Sequence, residues 1–128
     1  MLDSLKTLGN RVTEFNGTLE GFTAPPSVSN VIMTSDEVYS SCPVTGQPDF
    51  YTVEISYEPD KLCIESKSMK LFLQSFATKG IFCEALSQVI LDQVWRDIKP
   101  KTCRVEIVHK PRGGISIVAS AYRDRSEG

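Results

Sequence analysis

The sequence predicts an α+β fold, an antiparallel sheet with two helices packed on one of its faces. Three observations carry that prediction. A strictly alternating run precedes two stretches of helical periodicity, two more strand-like runs follow them, and a Gly-Gly link joins those last two runs into a hairpin.

Each element has its own signal. Residues 1–40 are weakly patterned, broken by Pro25-Pro26 and rich in Ser, Thr, Asn and Gly; they read as a loosely structured arm that becomes a strand near Val31–Tyr39. Cys42-Pro43-Val44-Thr45-Gly46-Gln47-Pro48-Asp49 is a loop punctuated by two prolines and a glycine. In the next run Tyr51, Val53, Ile55 and Tyr57 share one face while Thr52, Glu54 and Ser56 take the other, the alternation of a half-buried strand. Met69, Phe72, Leu73 and Phe76 then recur at helical spacing, predicting a helix from near Ser66 with Gly80 as its stop. A second helix carries the stripe Phe82, Leu86, Val89, Ile90 and Val94 and ends before Pro100. Strands over Thr102–His109 and Ile115–Tyr122 flank Lys110-Pro111-Arg112-Gly113-Gly114, a link suited to a hairpin. The whole chain, 1–128, reads as a single domain with an N-terminal arm over 1–40 and a core over 41–122.

Composition narrows the function classes. With 14 basic against 16 acidic residues the net charge is -2, which argues against direct nucleic-acid binding. No apolar run approaches the roughly 18 residues that span a bilayer, and the N-terminus lacks a signal-peptide pattern. A cytoplasmic location follows as the expectation, with Cys42, Cys63, Cys83 and Cys103 as reduced thiols. No C-x-x-C pair occurs and His109 is the only histidine, so no metal site is predicted.

Several residues invite a chemical reading beside a plain one. Cys42 is either an idle loop thiol or, with Asp49 across the rigid loop, half of a nucleophile and proton-donor pair. Lys67 and Lys70 fall in or near the first turn of a helix, where the macrodipole favours acidic residues; they are solvated surface charges or part of an anion site with free backbone N–H groups. Arg112-Gly113-Gly114 is a plain turn or a phosphate contact. Glu84 complements a helix dipole or binds a ligand. Cys83, at the same helix N-terminus, reads as a second reactive thiol. His109, on a strand near a turn, reads as structural.

Taken together, Cys42 through Phe50, the block Glu65-Ser66-Lys67-Ser68-Met69-Lys70-Leu71-Phe72, and Arg112-Gly113-Gly114-Ile115-Ser116-Ile117 resemble the signature segments of the 7-cyano-7-deazaguanine reductases in order and spacing. The resemblance covers about residues 40–118, and Leu8-Gly9-Asn10 matches more faintly. It implies a tunnelling fold whose subunits assemble into homo-oligomeric rings with active sites between subunits. The implied reaction reduces the nitrile of a small 7-deazaguanine to an aminomethyl group with two NADPH. Carried over by motif, Cys42 resembles the nucleophile that forms a covalent thioimide and Asp49 the general acid/base. Glu84, Cys83, Glu65 and Ser66 fall at substrate positions, with Glu84 as the carboxylate that recognises the ring; Lys67, Lys70, Arg112 and Gly113 fall at cofactor positions.

One triplet departs from that pattern. The family reads Phe-His-Glu where this chain has Phe82-Cys83-Glu84. A thiol cannot replace the imidazole as an acid near neutral pH, its reference pKa being about 8.5. Two alternatives therefore stand beside the reductase: a sibling enzyme acting differently on a 7-deazaguanine, such as amidine formation at the nitrile, and a non-catalytic deazaguanine-binding module.

Overall fold

A computed structural model describes residues 13–41 and 44–127, the side chains of Arg112 and Glu127 excepted. In chain order its elements are β1 (Gly21–Thr23), β2 (Val31–Ser41), β3 (Pro48–Glu58), β4 (Leu62–Ile64), α1 (Ser66–Gln74) with a 3₁₀ turn over Ser75–Thr78, α2 (Cys83–Ile98), β5 (Thr102–Arg112) and β6 (Ile115–Asp124).

Among the described residues, four strands form one antiparallel sheet in the order β2-β3-β5-β6, and β1 pairs with β4 in a separate two-stranded sheet. Alternation does the work in the large sheet. Tyr57, Ile55, Val53 and Tyr51 of β3 stand opposite Cys103, Val105, Ile107 and His109 of β5. The first seven of these eight residues are buried on the helix side. α2 covers β5 and β6, while the 3₁₀ turn and α1 lie over β2. The opposite face stays open, with Ile32, Phe50, Val118 and Tyr122 exposed. This is the predicted α+β arrangement with both helices on one face.

Details differ from expectation for identifiable reasons. The core reaches well before residue 41: Leu19 and Val38 are buried. The Leu19 N–H donates to Asp97 Oδ2 at 2.8 Å and the Glu20 N–H to Ser68 Oγ at 2.9 Å, which ties this part of the expected arm to both helices. Gly80 does not cap α1; the helix tightens into a 3₁₀ turn after Gln74, and Gly80 instead bridges to Ser41. The buried stripe of α2 is Cys83, Leu86, Ser87, Ile90, Leu91, Val94 and Ile98. Phe82 is the exposed N-cap residue, and Val89 is exposed as well. Between β5 and β6 the turn needs left-handed backbone at two successive positions, and Gly113 and Gly114 supply φ values of 62° and 81°. That requirement accounts for both glycines without a ligand.

Among the described residues no helix is long and apolar enough to cross a membrane.

Candidate active site

The end of the large sheet where β3 begins is also where α2 begins. Asp49 lies two residues before Tyr51, so it shares the helix-side face, and His109 stands directly opposite Tyr51. The first turn of α2 closes over this end with Cys83 and Glu84. The result is a small cavity of about 280 Å³ lined by Thr45, Asp49, Tyr51, Phe82, Cys83, Glu84, His109 and Ile117. Its floor is pinned. The Tyr51 hydroxyl lies 3.0 Å from Ser40 Oγ, and both groups donate toward the Ile81 carbonyl, at 3.5 and 3.4 Å, which holds the entry of α2 against β2 and β3.

Inside the cavity, Asp49 is buried and Glu84 is exposed. His109 Nε2 lies 3.3 Å from Asp49 Oδ1. The contact lacks hydrogen-bond geometry, and among the described residues neither ring nitrogen has a hydrogen-bond partner although both are shielded from solvent. The imidazole rests against the Tyr51 ring with centroids 5.1 Å apart. The sequence reading missed His109 as a site residue. The available signal was its place in the alternating series 103, 105, 107, 109, on the buried face of its strand.

Cys83 is not the reactive thiol its helix position suggested. It is 3% exposed, its Sγ faces the Ile107 carbonyl at 3.9 Å, and burial first, then the neighbouring Glu84 charge, pushes its pKa up. Cys103 is fully buried and pushed up to about 12 by burial; Cys63 is buried in β4. Iodoacetamide should therefore label Cys63, Cys83 and Cys103 slowly in the native protein and Cys42 fast. Peptide mass spectrometry over a time course reads this directly, and equal rates at all four would refute it. Cys42 itself lies outside the described residues, as does the Arg112 side chain.

The structure does not bring the lysine block to this cavity. Glu65 is the N-cap of α1: its carboxylate accepts from the backbone N–H of Lys67 at 2.9 Å and of Ser68 at 2.8 Å. The helix N-terminus is thus already occupied by an internal anion, and the expectation of free amides for a phosphate is corrected. The same bonds commit Glu65, 4% exposed, to a capping role rather than to substrate within this subunit. Ser66 and Lys70 line a different, larger cavity of about 730 Å³ between α1 and β2, which also holds Asp36, Glu37, Met69 and Gln74. The two cavities have no lining residue in common. The larger one has the volume for part of a dinucleotide, and Lys70 at its wall with Lys67 nearby on α1 supplies ammonium groups of the kind phosphates require. A phosphate contact here would run through the Lys70 side chain, which shares the wall with Asp36 and Glu37, and not through the helix end.

Comparison with known proteins identifies the family. The sequence model of a family described as QueF-like protein matches residues 48–127. A protein of Rhodopirellula baltica named NADPH-dependent 7-cyano-7-deazaguanine reductase is 40% identical over 115 residues, spanning 88% of this chain and 95% of the relative. One of the same name from Frankia casuarinae is 36% identical over 121 residues, spanning 94% and 97%. A third, from Syntrophus aciditrophicus, is 46% identical over 91 residues; the match spans 71% of this chain and 65% of that relative, so the chain covers under two thirds of its length. The crystal structure of an archaeosine synthase QueF-Like in the apo form superposes with a TM-score of 0.71 at 21% identity, over 77% of this chain and 94% of that one. At that identity the likeness establishes a shared fold.

Proposed function

The chain belongs to the QueF-like family, and we propose that it is an NADPH-dependent nitrile reductase converting 7-cyano-7-deazaguanine to 7-aminomethyl-7-deazaguanine. One observation carries the reading beyond family membership: Asp49 and Glu84, distant in sequence and assigned to chemistry and recognition, line one cavity sized for a bicyclic base.

In this reading Glu84 accepts N–H bonds from the pyrimidine ring, which aims the nitrile back toward Asp49 and the loop that carries Cys42. The Cys42 sulfur adds to the nitrile carbon, one π bond of C≡N opens, and the nitrogen takes a proton from Asp49, giving a thioimide. Bound NADPH would supply two hydrides, which with two protons balance nitrile to aminomethyl; the Cys42 sulfur leaves as thiolate after the first, breaking the C–S bond and freeing an imine for the second. Lys67 and Lys70, joined by Arg112, would hold the cofactor phosphates. Asp49 is buried, so its proton goes to the nitrogen that needs it rather than to bulk water. The assay that tests this is NADPH oxidation on adding the nitrile. Two equivalents consumed per amine formed supports the reading, and substrate binding without oxidation refutes it.

The separation of the two cavities favours a site built between subunits. Asp49 and Glu84 lie at one, Ser66 and Lys70 at the other, and a neighbouring copy is needed to unite them. The sheet ends in β2 and β6, long edges that a second copy would cover. A homo-oligomer, a pentameric ring or two stacked rings, follows, residing in the cytoplasm where NADPH and reduced thiols coexist. Light scattering at micromolar concentration should give a multiple of five times the 14.2 kDa chain; a monomer would exclude the shared site.

A further inference from the structure

The sequence has one histidine, and the fold delivers it to the cavity that Asp49 and Glu84 line. Cys83 lines the same cavity, and its sulfur points at the Ile107 carbonyl. Two residues further along β5, on the same face, His109 lines the same cavity with Nε2 3.3 Å from Asp49. We propose that His109 is a positioning and proton-relaying residue of this site that acts through Asp49. The inference rests on the nitrile being the substrate.

Packing alone does not explain this side chain. A ring needed only to fill space beside Tyr51 would be best as an apolar aromatic, because two shielded ring nitrogens that find no hydrogen bond among the described residues are costly to keep. Such a group is retained where a partner arrives during function. A small rotation of either side chain turns the 3.3 Å contact with Asp49 into a hydrogen bond, and catalytic hydrogen bonds are commonly misaligned before substrate binds. Among the described residues, the titratable groups that share the cavity with the imidazole are Asp49 and Tyr51 from β3 and Cys83 and Glu84 from α2. Of these, Asp49 is the buried acid assigned to the nitrogen. During addition the thiol proton of Cys42 ends on the nitrile nitrogen, and the Asp49–His109 pair holds it in between. No oxidant or reductant enters that step.

The test follows mass gain on mixing with 7-cyano-7-deazaguanine without NADPH, so it does not depend on hydride transfer. His109→Phe keeps the ring and removes the nitrogens. It should slow adduct formation about 10²-fold or more, the usual range for acid–base assistance, with no fall in unfolding midpoint. The double variant His109→Phe with Cys83→His returns an imidazole to the cavity from the other wall and should recover most of the lost rate, which a merely structural role would not allow. An unchanged rate in His109→Phe overturns the proposal, as does a double variant as slow as the single one. The ring-proton resonances of the sole histidine give a second readout in the unsubstituted protein: both Asp49→Asn and saturating nitrile should shift them. If the unsubstituted chain forms no adduct, the covalent reading has failed on its own account; resonances that ignore the nitrile would then overturn this proposal too.

Discussion

Cys42→Ala is expected to abolish adduct formation with 7-cyano-7-deazaguanine and NADPH oxidation together. The loss should be complete rather than partial, because no other thiol can stand in. Cys63 and Cys103 lie in the core, and the Cys103 thiol, pushed up to about 12 by burial, is protonated at any working pH. Cys83 touches the cavity but is buried and likewise shifted toward the thiol form. Reactivity belongs to the thiolate, so a nitrile held in the cavity meets no second nucleophile. Binding should survive, since Glu84 and the cavity walls are untouched; a thermal shift with the nitrile separates a dead but folded site from a misfolded chain. Turnover or mass gain retained by Cys42→Ala would end the covalent mechanism.

How far the sequence went is clearest at particular residues. Long, strongly periodic elements were legible: β3, β5, β6 and α2 all lie where the alternation or the helical stripe put them. β1 and β4 were not, because three residues carry no period and their pairing partners are some forty positions apart. Phe82 and Val89 were assigned to the buried stripe from hydrophobicity; the sheet takes the face of α2 that includes Cys83 and Ser87 instead. The site divides in the same way. Asp49 and Glu84, which line one cavity, were marked beforehand by local punctuation and by motif. His109 was read as structural: the alternation of its strand shows that it faces inward, but only the strand register sets it against Tyr51 and beside Asp49. The lysines were misread in one respect, since Glu65 just before the helix was the internal anion that made free amides impossible.

Glu84→Gln should weaken binding of 7-cyano-7-deazaguanine about 10- to 100-fold, the loss expected when hydrogen bonds to a charged group are replaced or broken. The carboxylate presents two acceptor oxygens at the cavity mouth, matched to two adjacent N–H donors on a guanine-like ring. The amide keeps the shape but offers one acceptor and turns an NH₂ donor toward a donor, so one bond is lost and one contact becomes repulsive. Glu84 is exposed in the isolated subunit, and solvent there discounts the effect; a neighbouring copy covering the cavity would bring it toward the upper end of the range. The chemistry should be spared. Asp49 and the Cys42 loop are unchanged, so the rate of adduct formation at saturating nitrile should stay within a few-fold of the original. Glu84 also sits in the first turn of α2, where its charge complements the helix dipole, so a loss of about 0.3–1 kcal/mol in stability is expected and is too small to empty the native state. Calorimetric titration gives the affinity, and mass gain at saturation gives the rate. An unchanged affinity, or a slowed rate at saturation with affinity intact, would show that Glu84 does not hold the ring.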